Sequence, residues 1–337
     1  MISVRRDRPA RARLSALGAY VPDRVVTNAD FVARMDTTDE WIFSRTGIRE
    51  RRYAAEDEAT SDLAVRAAQA ILDDAGVAAA DLDAVIVPTC TPDYLFPSVA
   101  ALTADRIGAR RAAAFDLQAA CSGFVYTLAQ AASMIESGWA DNVLVVGAEK
   151  FSNLVNPDDR STSILFGDGA AGALVTAGDP GSTNGFLGFD LGADGSLGCE
   201  LLIPVGGTRH PAAKAFEPQD AYLQMNGREV FKFATRAMEE TTSRLLDALD
   251  MSIGDVDLLV AHQANQRIID HAVGRLGVDP SKVFNNVEKY GNTSAASIPL
   301  ALTEARDQGV LAPGMRVLLV GFGAGLTWAS TIVSYEP

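Results

Sequence analysis

The chain reads as an α/β protein made of two related halves, and three observations predict this. Amphipathic helices alternate with short Val/Ile/Leu runs, the pattern of layered folds with mostly parallel, buried strands. A unit of helix, polar link, DxD and strand occurs twice: SDLAVRAAQAILDDAG (61–76) leads to DLDAVIV (81–87), and REVFKFATRAMEETTSRLLDALD (228–250) leads to DVDLLVA (255–261). The strand NVLVVGAEK (142–150) has a counterpart in RVLLVGFGAG (316–325), and GDGAAGALVTAG (167–178) has a looser one in TWASTIV (327–333). A repeat of this spacing is an internal duplication rather than a solenoid.

Taken in order, residues 1–13 form a basic tail, 14–180 the first half and 181–337 the second. The tail carries Arg5, Arg6, Arg8, Arg11 and Arg13, and LSALGAYV behind it is too short and glycine-broken for a signal segment, so it reads as a first strand. Ala114 to Gln118 reads as the end of a buried strand, with Gly123, Phe124 and Leu128 in the first turns of the next helix. From Asn265 to Leu276 a helix keeps Ile268, Ile269, Ala272, Val273 and Leu276 on one stripe, which turns Arg267, His271 and Arg275 outward. Tyr290 to Pro299 reads as a loop of small residues entering a helix. The apolar run 317–333 approaches the length of a membrane span, but Gly321, Gly323, Gly325, Thr327, Ser330 and Thr331 divide it into two strands and a glycine turn.

Composition narrows the function. At 337 residues, 48% hydrophobic and 21% charged, the chain is globular and long enough for a large core. A net charge of −14 argues against a general nucleic-acid binder. Positive charge is local: Arg45, Arg49, Arg51 and Arg52 cluster, and Arg267 and Arg275 flank His271. The three cysteines, Cys90, Cys121 and Cys199, show no CxxC and no metal-ligand spacing. Neither a disulfide framework nor a metal site is expected, and a reducing cytoplasm is the default compartment.

Cys121 stands in AFDLQAACSGFVYTL, where the strand pattern gives way to the helical one. A thiol at such an elbow faces the N–H groups and positive end of a helix, which favour thiolate; a lone cysteine is also, more often, an inert core residue. Of three histidines, His210 lies in a polar loop, His271 on a helix surface, and His262 directly after a buried strand, the position Cys121 holds in the first half. Asn292 has no evident core role, although an Asn in a GNT turn is commonly a turn former or cap. Gly321 to Gly325 lets backbone N–H groups approach a ligand, or makes a tight hairpin.

With these residues together, the sequence closely resembles the β-ketoacyl-acyl-carrier-protein synthases of type III, in the thiolase-like superfamily, from about Leu14 to the C-terminus. The motifs that carry the resemblance are DEWIFSRTGIRERR (39–52), AACSGF (119–124), DRSTSILFGDGA (159–170), HQANQRI (262–268), YGNTSAASIP (290–299) and GFGAGLTW (321–328). It implies a thiolase-like fold, two pseudo-duplicated α/β halves forming a five-layer αβαβα core. It also implies a decarboxylative condensation of an acyl-CoA with malonyl-acyl carrier protein in a cytoplasmic homodimer, with no permanent cofactor, metal or membrane anchor. By the same resemblance Cys121 is the acylated nucleophile, His262 and Asn292 stabilise the enolate, and the N–H groups of Cys121 and Ala324 form the acyl-transfer oxyanion site. Thr37, Trp41, Arg45, Arg160, Gly227 and Asn265 would hold the coenzyme, and Phe96 and Phe166 would border the acyl pocket, Phe96 from across a dimer interface. Lys232, Arg267, His271 and Arg275 would receive the acidic carrier protein.

Two rivals remain at this level. A cysteine hydrolase of the papain type also uses Cys, His and Asn, but AACSGF is not its local signature. A pathway-specific synthase or acyltransferase of secondary, polyketide-type metabolism shares the superfamily and the triad. The starter acyl group is open, because a hydrophobic pocket separates homologues differing by one methylene by only about 1–3 kcal/mol.

Overall fold

The computed structural model describes residues 11–179 and 184–337; most of the basic tail, through residue 10, and the junction of the halves at 180–183 lie outside the described residues. The first half contributes strands β1 (Ala12–Tyr20), β2 (Arg24–Thr27), β3 (Glu50–Tyr53), β4 (Ala84–Pro88), β5 (Ala113–Leu117), β6 (Asn142–Glu149) and β7 (Gly169–Ala177). Its helices are α1 (Asn28–Val32), α2 (Asp39–Thr46), α3 (Thr60–Ala75), α4 (Val99–Ile107) and α5 (Gly123–Glu136). The second half adds β8 (Gly185–Ala193), β9 (Leu201–Leu202), β10 (Gln224–Met225), β11 (Leu258–Ala261), β12 (Val283–Phe284), β13 (Arg316–Gly323) and β14 (Thr327–Ser334). Its helices are α6 (Gly227–Ala248), α7 (Gln266–Leu276), α8 (Val287–Tyr290) and α9 (Ser297–Asp307).

One sheet has the order β1-β7-β6-β4-β5 and the other β8-β14-β13-β11-β12, so the duplication is visible strand for strand. In each, two neighbouring pairs are parallel and two antiparallel, fewer parallel pairs than the sequence pattern suggests. The excess is antiparallel because β6 to β7 and β13 to β14 return directly, without a crossover helix. The apolar run 317–333 is this second hairpin.

The second Asp of each DxD has a mechanical role. Asp83 Oδ2 accepts from the N–H groups of Asp141 (2.7 Å) and Asn142 (3.1 Å) at the start of β6, and Asp257 Oδ2 accepts from Arg316 N (2.9 Å) at the start of β13. The repeated motif therefore sets the stagger of neighbouring strands. Helices α3 and α4 cover the outer face of the first sheet and α6 and α7 that of the second, while α5 and α9 lie between the sheets. The central layer is packed by Phe124, Leu128, Ile298 and Leu302, all essentially inaccessible, from helices too apolar to tolerate solvent. Strand β5 is only half-buried, against the expectation of a buried strand, because it is the edge of its sheet.

Candidate active site

The carboxyl ends of the central strands face one cavity of about 550 Å³. Cys121 reaches it from the elbow after β5: Ala120 adopts φ +47°, a short 3-10 turn covers Ala120–Ser122, and α5 begins at Gly123. A non-glycine residue in this left-handed region is strained, and here it aims the thiol at the cavity. β13 lies against the elbow so closely that a Cβ at Gly323 would sit 2.6 Å from the Cys121 nitrogen, which explains this glycine. Gly321 and Gly323 belong to β13 itself, and the chain turns at Ala324, which lines the cavity.

His262 follows β11 and is held by His262 N–H to Val320 O at 2.8 Å, with Phe322 edge-on to its ring at 5.2 Å. Its Nδ1 lies 2.6 Å from Ser297 Oγ, and the backbone N–H of Gln263 donates to that same oxygen at 3.3 Å. With its oxygen accepting from Gln263, the serine hydroxyl keeps both a proton to donate to Nδ1 and a lone pair to accept from it; the tautomer in which it donates places the ring proton on Nε2. Nε2 is buried, has no hydrogen-bond partner among the described residues, and belongs to a residue lining the cavity. Burial pushes His262 down to about 3, so the ring is a neutral donor at physiological pH. Asn292 also lines the cavity; Ser294 N–H donates to its Oδ1 at 2.8 Å, leaving the amide nitrogen to donate.

Cys121 does not rest as the thiolate that its elbow suggests. Burial first, and the Glu149 carboxylate after the opposing Ser294 hydrogen bond, push the thiol from 9.0 up to about 12. Desolvation is the first cause of that rise and opposes the pull of the helix terminus. Burial wins, and the resting group is a thiol.

At the mouth, the Arg160 guanidinium lies 4.5 Å and that of Arg45 5.6 Å from the Trp41 ring centre, while Arg160 Nη1 donates to Asp36 O. Asn265 caps α7 and donates through Nδ2 to Arg45 O at 3.0 Å, and Gly227 opens α6; both line the cavity. Thr37 does not line it. Phe166 does, stacked on Phe151 at 4.8 Å, whereas Phe96 is 84% exposed beside Tyr94 and Leu95 on the outer surface. Lys232, Arg267, His271 and Arg275 share the exposed side of α6 and α7, but Lys232 pairs with Glu229 (2.7 Å) and Arg275 with Glu239 (3.0 Å). Arg267 instead lies over the Phe231 ring at 5.8 Å. Arg51, from the sequence cluster of arginines, is fully buried and donates to Val26 O, Asn28 Oδ1 and Ile164 O.

Three polar residues in or behind this cavity went unnoticed in the sequence: Ser294, Ser297 and Glu149. The serines sit in the YGNTSAASIP motif but look like helix-entry residues. The one available signal for Glu149 was an acid ending an uninterrupted apolar strand.

Family models described as 3-oxoacyl-[acyl-carrier-protein] synthase III match residues 115–195 and, for the C-terminal region, 246–335. The β-ketoacyl-[acyl-carrier-protein] synthase III of Desulfitobacterium hafniense (strain DSM 10664 / DCB-2) is 51% identical over 320 residues, 95% of this chain and 96% of its own. That of Natranaerobius thermophilus is 47% identical over 97% of this chain and 100% of its own. Among solved structures, the Thermus thermophilus synthase III superposes with a TM-score of 0.90 at 50% identity, covering 96% of this chain and 99% of that one. The priming β-ketosynthase of the R1128 polyketide pathway gives 0.90 at 36%, covering 99% of each.

Proposed function

The chain belongs to the 3-oxoacyl-[acyl-carrier-protein] synthase III family, and from that premise we propose how its cavity works. The reaction is the decarboxylative Claisen condensation of an acyl-CoA starter with malonyl-acyl carrier protein, yielding 3-oxoacyl-carrier protein, CoA and CO₂ and opening type II fatty acid synthesis. What carries the residue assignment is the convergence of the Cys121 thiol, the unpartnered Nε2 of His262 and the Asn292 amide on one cavity.

In the first half-reaction the Cys121 sulfur attacks the thioester carbonyl, whose oxygen takes hydrogen bonds from the N–H groups of Cys121 and Ala324 as it becomes an oxyanion. The acyl chain rests among Phe166, Phe151, Leu223 and Met225, and the CoA thiolate leaves. The Trp41 face with Arg45 and Arg160 suits an adenine ring at the mouth, and Gly227 and Asn265 border its approach, whereas Thr37, outside the cavity lining, does not. In the second half-reaction malonyl-carrier protein enters, CO₂ departs, and His262 Nε2–H and the Asn292 amide donate to the enolate oxygen. No base need remove a carbon-bound proton, because the departing CO₂ leaves the electron pair behind. The carbanion attacks the acyl carbonyl and expels Cys121.

The acidic carrier protein docks on the α6–α7 side through Lys232, Arg267, His271 and Arg275, with Arg267 carrying the most weight because its charge is not spent on a carboxylate. A homodimer forms along β5, whose free edge lies near exposed Tyr94, Leu95 and Phe96, and Phe96 enters the partner's pocket. Phe96→Asp should yield monomers by light scattering; a dimer of unchanged strength would remove this assignment. No helix among the described residues is long and apolar enough to cross a membrane, and the three free thiols suit a reducing cytoplasm.

Intact-mass spectrometry tests the whole. The protein should gain one acyl group from a suitable acyl-CoA and lose it on addition of malonyl-carrier protein, and Cys121→Ser should gain none. His262→Ala should acylate but stall before condensation. Acylation that persists in Cys121→Ser refutes the nucleophile.

A further inference from the structure

From Cys121 runs a buried polar chain that the reaction as described does not use. Cys121 Sγ donates to Ser294 Oγ at 3.4 Å, and Ser294 Oγ donates to Glu149 Oε1 at 2.9 Å. Both bonds point the same way, from sulfur to carboxylate. Ser294 is held there against its backbone preference, at φ +50°, with its N–H anchored on Asn292.

Glu149 closes β6 and is wholly inaccessible. Its Oε2 accepts from Thr91 Oγ1 (2.8 Å) and Thr89 Oγ1 (3.3 Å), and both oxygens accept from Cys90 N (3.1 and 3.2 Å). The titratable groups facing it are Cys90 from the segment after β4 and Cys121 from the elbow. Lys150, next in sequence, turns its ammonium to the carbonyls of Ala55, Glu56 and Glu58. A carboxylate with four donors and no cation paired to it among the described residues is a costly thing to bury for structure alone.

We propose that Glu149, through Ser294, accepts the Cys121 proton during acylation and returns it when condensation expels the sulfur. This rests on the reaction proposed above. In acylation the S–H proton passes to Ser294 Oγ as the Ser294 proton passes to Glu149. The sulfur lone pair forms the new thioester bond, the old C–S bond breaks, and the CoA thiolate takes a proton from water. In condensation the Cys121–acyl bond breaks toward sulfur and the same chain runs backward, giving thiol and carboxylate. One proton is consumed per turnover, on CoA. Glu149 is a positioning residue in this scheme, since it meets the sulfur only through Ser294.

The acceptor must be ionised to work. Burial raises Glu149 from 4.5 to about 7, so acylation should rise with pH through about 7 and then level off.

The test is Glu149→Gln, which keeps the shape but cannot take a proton, read by the pH–rate profile of Cys121 alkylation with iodoacetamide and of single-turnover acylation by acetyl-CoA. With the relay, the variant slows by about 10²-fold at pH 8 and its rate climbs steadily to high pH, with no plateau. A purely electrostatic or structural Glu149 gives the opposite sign, because removing its negative charge eases thiolate formation. An equal or faster rate in Glu149→Gln overturns the proposal. Ser294→Ala, which leaves Glu149 in place, should show the same loss of rate and the same absence of a plateau, and decides the matter if Glu149→Gln does not fold. If no acyl-CoA acylates the wild type, the reaction itself is wrong; if the wild type acylates and the variants keep its pH profile, only the relay is.

Discussion

Replacing Ser297 by Ala should damage condensation and spare acylation. The hydroxyl lies 2.6 Å from His262 Nδ1, and in the tautomer that puts the ring proton on Nε2 it donates to Nδ1 while its oxygen accepts from Gln263 N–H. Without it, Nδ1 loses the donor that keeps the ring proton on Nε2, and the Gln263 N–H is left buried and unpaired. The ring cannot compensate by protonating both nitrogens, since burial holds its pKa at about 3. A lost buried hydrogen bond costs about 1–3 kcal/mol, so decarboxylation should slow roughly 5- to 150-fold. The upper limit is set by His262→Ala, since loss of an oxyanion donor outright costs about 10²–10³-fold. The assay follows acylation by rapid-quench mass spectrometry and CO₂ release from labelled malonyl-carrier protein by scintillation. Equal loss in both half-reactions, or CO₂ release within twofold of wild type, would show that Ser297 does not set the His262 tautomer.

Three further outcomes follow from the same geometry. Gly323→Ala forces a Cβ to within 2.6 Å of the Cys121 nitrogen, so the elbow must shift and acylation should fall tenfold to 10²-fold; wild-type acylation rates would mean that β13 does not constrain the elbow. His262 is depressed from 6.5 to about 3, so the unfolded chain binds a proton that the folded chain refuses, and stability is lost as pH falls below about 6.5. Between pH 7 and 4.5, His262→Gln should therefore lose about 2–3 kcal/mol less than wild type in urea unfolding, and parallel curves would exclude a buried neutral ring. Arg267→Glu should weaken use of malonyl-carrier protein far more than acylation by free acyl-CoA, and steady-state kinetics showing equal losses would remove the docking face.

Period and repetition made the layered fold legible. The DxD units, the paired strands and the hairpin hidden in 317–333 all leave marks in residue order, because burial on both faces demands unbroken Val/Ile/Leu runs. Strand direction leaves such a mark only where a short turn joins two strands, as between β13 and β14; the antiparallel return at β7, which follows a long loop after β6, carries none. Cys121 and His262 are legible as candidates because each follows a strand, whereas Asn292, which reads locally as a turn former, joins them only through the family's YGNTSAASIP motif. The residues behind them are not legible. Ser297 and Ser294 acquire their meaning only when strand ends 35 and 173 residues away fold against them, and helix-entry serines carry no local sign of that. The state of the Cys121 thiol illustrates the same limit: an elbow is visible in sequence, but the burial that opposes its dipole by raising the thiol is not.

The duplication also explains why the site is divided as it is. Corresponding strands end around the same cavity: β4 leads to Thr89 and Cys90 where β11 leads to His262, and β6 ends at Glu149 where β13 ends at Gly323. In the proposed mechanism the first half therefore supplies the nucleophile and a carboxylate, and the second supplies neutral donors. That asymmetry has a physical basis. A second carboxylate at the β13 end would face the enolate and oppose its formation, whereas glycine there lets backbone N–H groups approach. The path Cys121, Ser294, Glu149 crosses from the first half to the second and back, over contacts of 3.4 and 2.9 Å. A slide of one half by even 1 Å would break that path and part Cys121 from His262 together. The apolar layer of α5 and α9 between the sheets, packed without polar slack, is what holds the two halves to that tolerance.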